Sequence, residues 1–96
     1  MSSYFVAQIT INDPDEYQKY LDGYDEIFER YEGEVVAVDD RPEILEGNCS
    51  HTRIVLIRFP DAAGLKRWYN SPEYQQLAKY RRNASKADIL LVHGRK

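Results

Sequence analysis

The chain has 96 residues and a formal net charge of −3, which predicts one domain over residues 1–96, near the size at which a partner subunit helps to complete a core. The acidic balance argues against a nucleic-acid surface, because phosphate backbones are held mainly by clustered Lys and Arg. The lone Cys49 matches no zinc, redox or haem spacing, and no run approaches the roughly eighteen apolar residues of a membrane span or the pattern of a signal peptide, so a soluble protein of the reducing cytoplasm is expected.

Residues 4–11 read as a short strand that Asn12, Asp13 and Pro14 stop. Asp13 is an N-cap, Pro14 suits the first helical position, and Glu16 lies three residues after Asp13, as a capping box requires. The helix that follows carries Tyr17, Tyr20, Leu21, Tyr24, Ile27, Phe28 and Tyr31 at steps of three and four, which makes one apolar and aromatic stripe. Gly33 is expected to end it. Residues 35–38 predict a second strand, residues 39–50 a polar link, and residues 52–59 a third strand centred on Ile54 to Ile57. Pro60 closes that strand, and Asp61 caps a short helix bearing Leu65, Trp68 and Tyr69. Ser71, Pro72 and Glu73 then restart a helix with Tyr74, Leu77, Ala78 and Arg81 along one side, and residues 88–93 form the last strand.

With the two later helical pieces counted as one layer, the order β-α-β-β-α-β predicts an α+β, ferredoxin-like sandwich, a four-stranded, mostly antiparallel sheet with helices on one face. Both faces of the strands are apolar: Val55, Ile57 and Phe59 oppose Ile54 and Leu56, and Leu90 and Val92 oppose Ile89 and Leu91. Leaving about eight such side chains in water would forgo on the order of 10 to 20 kcal/mol at roughly 1.5 to 3 kcal/mol each. That is comparable with the whole stability of a small domain. The uncovered face is therefore expected to pack on a second copy, giving a two-fold homodimer, sheet against sheet.

Several segments together resemble the bacterial family described as domain of unknown function 1330. They are Asp13-Pro14 with Tyr17 and Tyr20, Arg41 through Leu45-Glu46-Gly47, Phe59-Pro60, and the run from Trp68-Tyr69 to Ser71-Pro72-Glu73-Tyr74. The resemblance covers nearly the whole chain. It implies the dimeric α/β-barrel superfamily, whose relatives include cofactor-independent monooxygenases, muconolactone isomerase-like enzymes and haem-binding proteins, although membership alone confers none of these activities. One departure stands out: Asp39-Asp40-Arg41 occupies the place where small, Gly-rich residues are expected.

Two groups of residues are candidates for a ligand site. Arg41, Glu46, His51 and Arg53 flank the link between the second and third strands and could orient a carboxylated metabolite, because a guanidinium fork matches a carboxylate. The plainer account is that the arginines pair with rim carboxylates or face solvent. Tyr17 and Tyr20, with Trp68, Tyr69 and Tyr74, could line a cleft between helices and sheet for a planar ligand, or could simply be core. Either way their hydroxyls need partners.

No metal or other cofactor is expected, since the two histidines, His51 and His93, have no ligand-spaced partner. Ser50 beside His51 is no triad, as neighbours on an extended chain point apart. The third strand has too few aromatics for an RNA-stacking platform, and the pairs Lys66-Arg67 and Arg81-Arg82 read as solvated helix faces. The function expected first is binding of a small carboxylated or aromatic metabolite in the sheet–helix cleft. The alternatives are a cofactor-independent monooxygenase or isomerase, with a Tyr or His moving a proton and Arg41 or Arg53 holding an anionic oxygen, and a structural interaction module.

Overall fold

Alternating burial along the strands and an Asp or Ser cap before each helix divide the chain into seven elements. The computed structural model describes residues 1–95. They form β1 (Ser3–Ile11), α1 (Pro14–Glu29), β2 (Glu34–Asp39), β3 (Arg53–Phe59), α2 (Ala62–Tyr69), α3 (Pro72–Ala84) and β4 (Ser85–His93). The strands lie in the order β2-β3-β1-β4 with every neighbouring pair antiparallel, which is the ferredoxin-like arrangement.

All three helix starts are held by side-chain caps. Asp13 Oδ1 accepts from the Glu16 N–H at 3.2 Å, Asp61 Oδ1 from the Gly64 N–H at 2.7 Å, and Ser71 Oγ from the Tyr74 N–H at 3.2 Å. The first is half of a capping box, because the Asp13 N–H donates instead to the Ala84 carbonyl at 3.0 Å and so ties the start of α1 to the end of α3.

Two boundaries differ from expectation by more than one residue. α1 stops at Glu29, and the left-handed residue of the following turn is Glu32, with φ 63°, rather than Gly33. Gly33 answers a different need: a Cβ there would lie 2.9 Å from the Phe59 ring and 3.0 Å from that of Phe28. β4 begins three residues before the predicted start, because Ser85 to Ala87 pair with β1 through the registers Ile11↔Ser85, Thr10↔Lys86 and Ile9↔Ala87. Polar residues hid that extension, since tertiary pairing rather than apolar pattern makes it a strand.

The helices cover one face of the sheet. Phe5, Ala7 and Ile9 of β1 and Val55, Ile57 and Phe59 of β3 form the inner floor. Trp68 is fully buried on it, edge-on to Phe5 at 5.0 Å between centroids and 4.2 Å from Tyr74. On the other face Tyr4, Val6, Ile54 and Leu56 are only partly covered, and Leu90 and Val92 stand 51% and 44% exposed. A register shift between Val35 and Ala37 also turns Val36 outward on the β2 edge.

One basic pair departs from the expected solvated face. Arg82 does lie exposed, but Arg81 is buried to 4% exposure. The steps from Tyr74 to Ala78 to Arg81 are four and three, so Arg81 continues the inward stripe of α3 and small Ala78 leaves room beneath it.

Candidate functional site

Under α1 the stripe of tyrosines meets the sheet across a cleft. Its floor is Ala7 and Ile9 from β1 with Val55 and Ile57 from β3, and its roof is Tyr17, Tyr20, Leu21 and Tyr24. Ala7 contributes only a methyl group to this floor. Two arginines complete the wall, Arg53 from the start of β3 and Arg81 from α3. The space between the walls is narrow, about 10 Å³, room for a single water.

The two guanidiniums differ in what balances them. Arg53 Nη1 donates to Asp40 Oδ1 at 2.7 Å, its guanidinium lies 5.9 Å from the Tyr17 ring centroid, and its buried Nε has no partner. Arg81 lies 5.8 Å from the Tyr20 centroid, and its Nε is also buried without a partner. Among the described residues no carboxylate pairs with Arg81. Beside it the hydroxyls of Tyr20 and Tyr74 share a hydrogen bond of 2.8 Å.

Burial is the main force on the phenols. It raises the pKa of Tyr17 and Tyr74 against the opposing pull of the arginines, and with the Tyr74 phenol it raises that of Tyr20 well above 10.0. All three are therefore protonated at neutral pH and can donate. Burial works against the charge on the arginines, but Asp40 for Arg53 and the surrounding phenol oxygens for Arg81 outweigh it, so both remain cationic.

The residues singled out from the sequence fall into five places. Tyr17, Tyr20 and Arg53 line the cleft, with Tyr74 behind Tyr20. Trp68 is core, with its indole Nε1 unpartnered. Tyr69 lines a separate groove with Leu65, Lys66 and Ile89 to Leu91, of about 500 Å³, beside the free edge of β4. Arg41 and Glu46 stand exposed in the link between β2 and β3, where the Arg41 N–H donates to Asp39 Oδ1 at 2.8 Å.

His51 lies on the opposite face of the sheet. Its Nδ1 is 3.0 Å from Thr10 Oγ1 and its Nε2 is 2.7 Å from Asp88 Oδ2, an arrangement that pins the end of the link to β1 and β4. A bend at Thr52 separates it from Arg53, so two residues close in sequence serve opposite faces. Arg81, Leu21, Tyr24 and the counter-ion Asp40 were not foreseen as site residues. Leu21 and Tyr24 share the stripe of α1 with Tyr17 and Tyr20, and Arg81 the stripe of α3, so these three carry a signal in the spacing, whereas Asp40 carries none.

These features define a small ferredoxin-like protein with a cationic, phenol-walled cleft beneath its first helix. The chain belongs to the family described as Domain of unknown function (DUF1330), whose model matches residues 2–95. No curated protein matches its sequence. Among solved structures it is similar to a protein of unknown function from Rhodopseudomonas palustris, with a TM-score of 0.81 at 16% identity, covering 99% of this chain and 83% of that one. It is similar also to SnoaB, a cofactor-independent oxygenase from Streptomyces nogalater, with a TM-score of 0.67 at 21% identity over 99% and 94% of the two chains. A dimeric protein of unknown function and ferredoxin-like fold from Bacteroides fragilis gives 0.65 at 7% identity over 97% and 96%. At such identities the likeness shows the fold. Among the described residues no helix is long and apolar enough to cross a membrane, and no three His, Cys, Asp or Glu side chains are grouped to hold a metal ion.

Proposed function

We propose that this protein binds a small carboxylated or aromatic metabolite in the cleft between α1 and the sheet. The observation that carries the reading is Arg81, a guanidinium at 4% exposure with no carboxylate partner among the described residues and an orphaned Nε on the cleft wall. Charges are buried in proteins at a cost of several kcal/mol unless something pairs with them, and a bound carboxylate is the complement this wall lacks. The ligand's body would lie on the apolar floor of Ile9, Val55 and Ile57. Entry requires Leu21 and Tyr24, both partly exposed, to swing outward, and for Tyr24 this means leaving its parallel stack on Tyr20, 5.6 Å between centroids.

The second copy belongs to this proposal. Leu90 and Val92, with Tyr4, Val6, Ile54 and Leu56, make a continuous apolar surface on the face without helices, and the similar Bacteroides fragilis protein is dimeric. The exposed, unpaired thiol of Cys49 fits a reducing cytoplasm.

Two further readings each have an observation behind them. A cofactor-independent enzyme is favoured by the Tyr20–Tyr74 hydroxyl pair beside a cation, a proton donor next to an anion-stabilising group, on a fold shared with SnoaB. A structural module is favoured by how nearly the tyrosines fill the cleft. Titrating ¹⁵N-labelled protein with a panel of small aromatic and aliphatic carboxylates separates binding from packing. Binding predicts amide shifts clustered on residues 17–24, 53–57 and 81, with a rise in melting temperature. If no member of the panel moves those amides, the tyrosine layer is core and the proposal fails.

A further inference from the structure

We infer that the cleft selects a ligand carrying one negative charge that the ligand brings already ionised, a monocarboxylate or an organic acid of similar strength. The inference rests on the cleft being a ligand site and goes beyond it by fixing the ligand's charge and its state of ionisation.

The first argument is a count of charges. Of the two guanidiniums in the wall, Arg53 is already balanced by Asp40 at 2.7 Å, and Arg81 has no counter-ion among the described residues. The remaining lining residues are apolar or phenolic, so the empty cleft holds one uncompensated positive charge. One carboxylate cancels it. A second would find no free cation: it would lie over the apolar floor with only neutral phenols to donate to it, or compete with Asp40 for Arg53. A neutral isostere could accept a hydrogen bond from the guanidinium but would leave its charge uncompensated.

The second argument concerns proton transfer. Among the described residues no Asp, Glu or His side chain lines the cleft, and its ionisable phenols are held protonated by burial. These groups can give a hydrogen bond or a proton but cannot remove one at neutral pH. A weakly acidic alcohol or phenol would therefore enter neutral and stay neutral, and only an acid ionised in water before binding would meet Arg81 as an anion.

Benzoate, its neutral isostere benzamide and the dianion terephthalate test this, each titrated into the full chain and into Arg81→Met while the amides of residues 17–24 and 53–57 are followed by NMR. Benzoate is expected to bind about tenfold or more tightly than either of the others, the size of one charge-assisted hydrogen bond. Its advantage over benzamide should shrink to within about twofold in Arg81→Met. Lowering the pH through the acid's own pKa should weaken benzoate and leave benzamide unchanged. Benzamide binding within about threefold of benzoate, or terephthalate binding best, would overturn the charge inference and leave the cleft as a ligand site. If none of the three probes moves those amides, the cleft reading fails and this inference falls with it.

Discussion

Replacing Arg81 with methionine should make the ligand-free protein more stable. Methionine keeps a long, unbranched side chain in the stripe below Tyr74 and Ala78 while removing a charge that stands at 4% exposure without an ion-pair partner among the described residues. Desolvating such a charge costs several kcal/mol in an effective protein interior. Against this stand the attraction of the Tyr20 ring at 5.8 Å, worth about 0.5 to 2 kcal/mol, and the contact of the guanidinium with the Tyr74 hydroxyl, worth about 1.5 to 3 kcal/mol. Removing the guanidinium orphans little, because the Tyr20 and Tyr74 hydroxyls still bond each other at 2.8 Å. The net expectation is a gain of about 1 to 3 kcal/mol, in the range seen when buried ionic groups give way to apolar ones. For a chain of this length each kcal/mol should raise the melting temperature by about 4 to 8 °C. Urea denaturation at fixed protein concentration in carboxylate-free buffer should show a higher midpoint with an unchanged slope. A loss of about 1 kcal/mol or more would mean that Arg81 is already satisfied inside the folded chain, and the argument from an unpaired charge would be refuted.

Other perturbations probe other links. Trp68→Ala should cost about 3 to 5 kcal/mol in denaturant titrations, because the indole is fully buried between Phe5, Phe59 and Tyr74; a near-neutral effect would place it on a pocket wall instead. Stability should hold up to about pH 10 and fall above it: burial raises the folded-state pKa of Tyr20 above its ordinary 10.0, so the unfolded chain releases that proton first. Tyr20→Phe should flatten the decline, and an equally steep decline would show that other groups cause it. Leu90→Asp should convert a dimer into monomers in sedimentation at micromolar concentration while the far-ultraviolet spectrum stays the same, since Leu90 is 51% exposed on the uncovered face; an unchanged sedimentation coefficient would rule that face out. Gly33→Ala should destabilise by about 1 to 3 kcal/mol through overpacking against Phe28 and Phe59, and a stable variant would show that the rings can yield.

Local signals were enough to read most of the fold. The Asp13, Asp61 and Ser71 caps mark all three helix starts, and the apolar run from Ile54 to Ile57 marks β3 as a strand, although with both of its faces apolar it does not tell which side meets the helices. The early start of β4 was not legible, because Ser85 to Ala87 become a strand only by pairing with residues more than seventy positions away. The site was legible in its aromatic half and obscure in its charged half. Tyr17 and Tyr20 follow from helical periodicity, whereas Arg53 and His51 look like one cluster in sequence until the bend at Thr52 divides them between the two faces. Arg81 was misread because a basic pair suggests solvent when composition alone is considered. Its spacing from Tyr74 and Ala78 pointed inward, and spacing was the better guide.

The place of β4 bears on how the chain reaches its native state. β1 occupies the interior of the sheet, with β3 on one side and β4 on the other. During synthesis β1 precedes β4 by more than seventy residues, yet half of its ladder waits for β4, through pairs such as Tyr4↔Val92 and Ser3↔His93. Closing so long a loop comes late and slowly, and until it closes β1 offers an open edge to any passing strand. Truncation within β4, or slow translation just before it, should therefore favour aggregation.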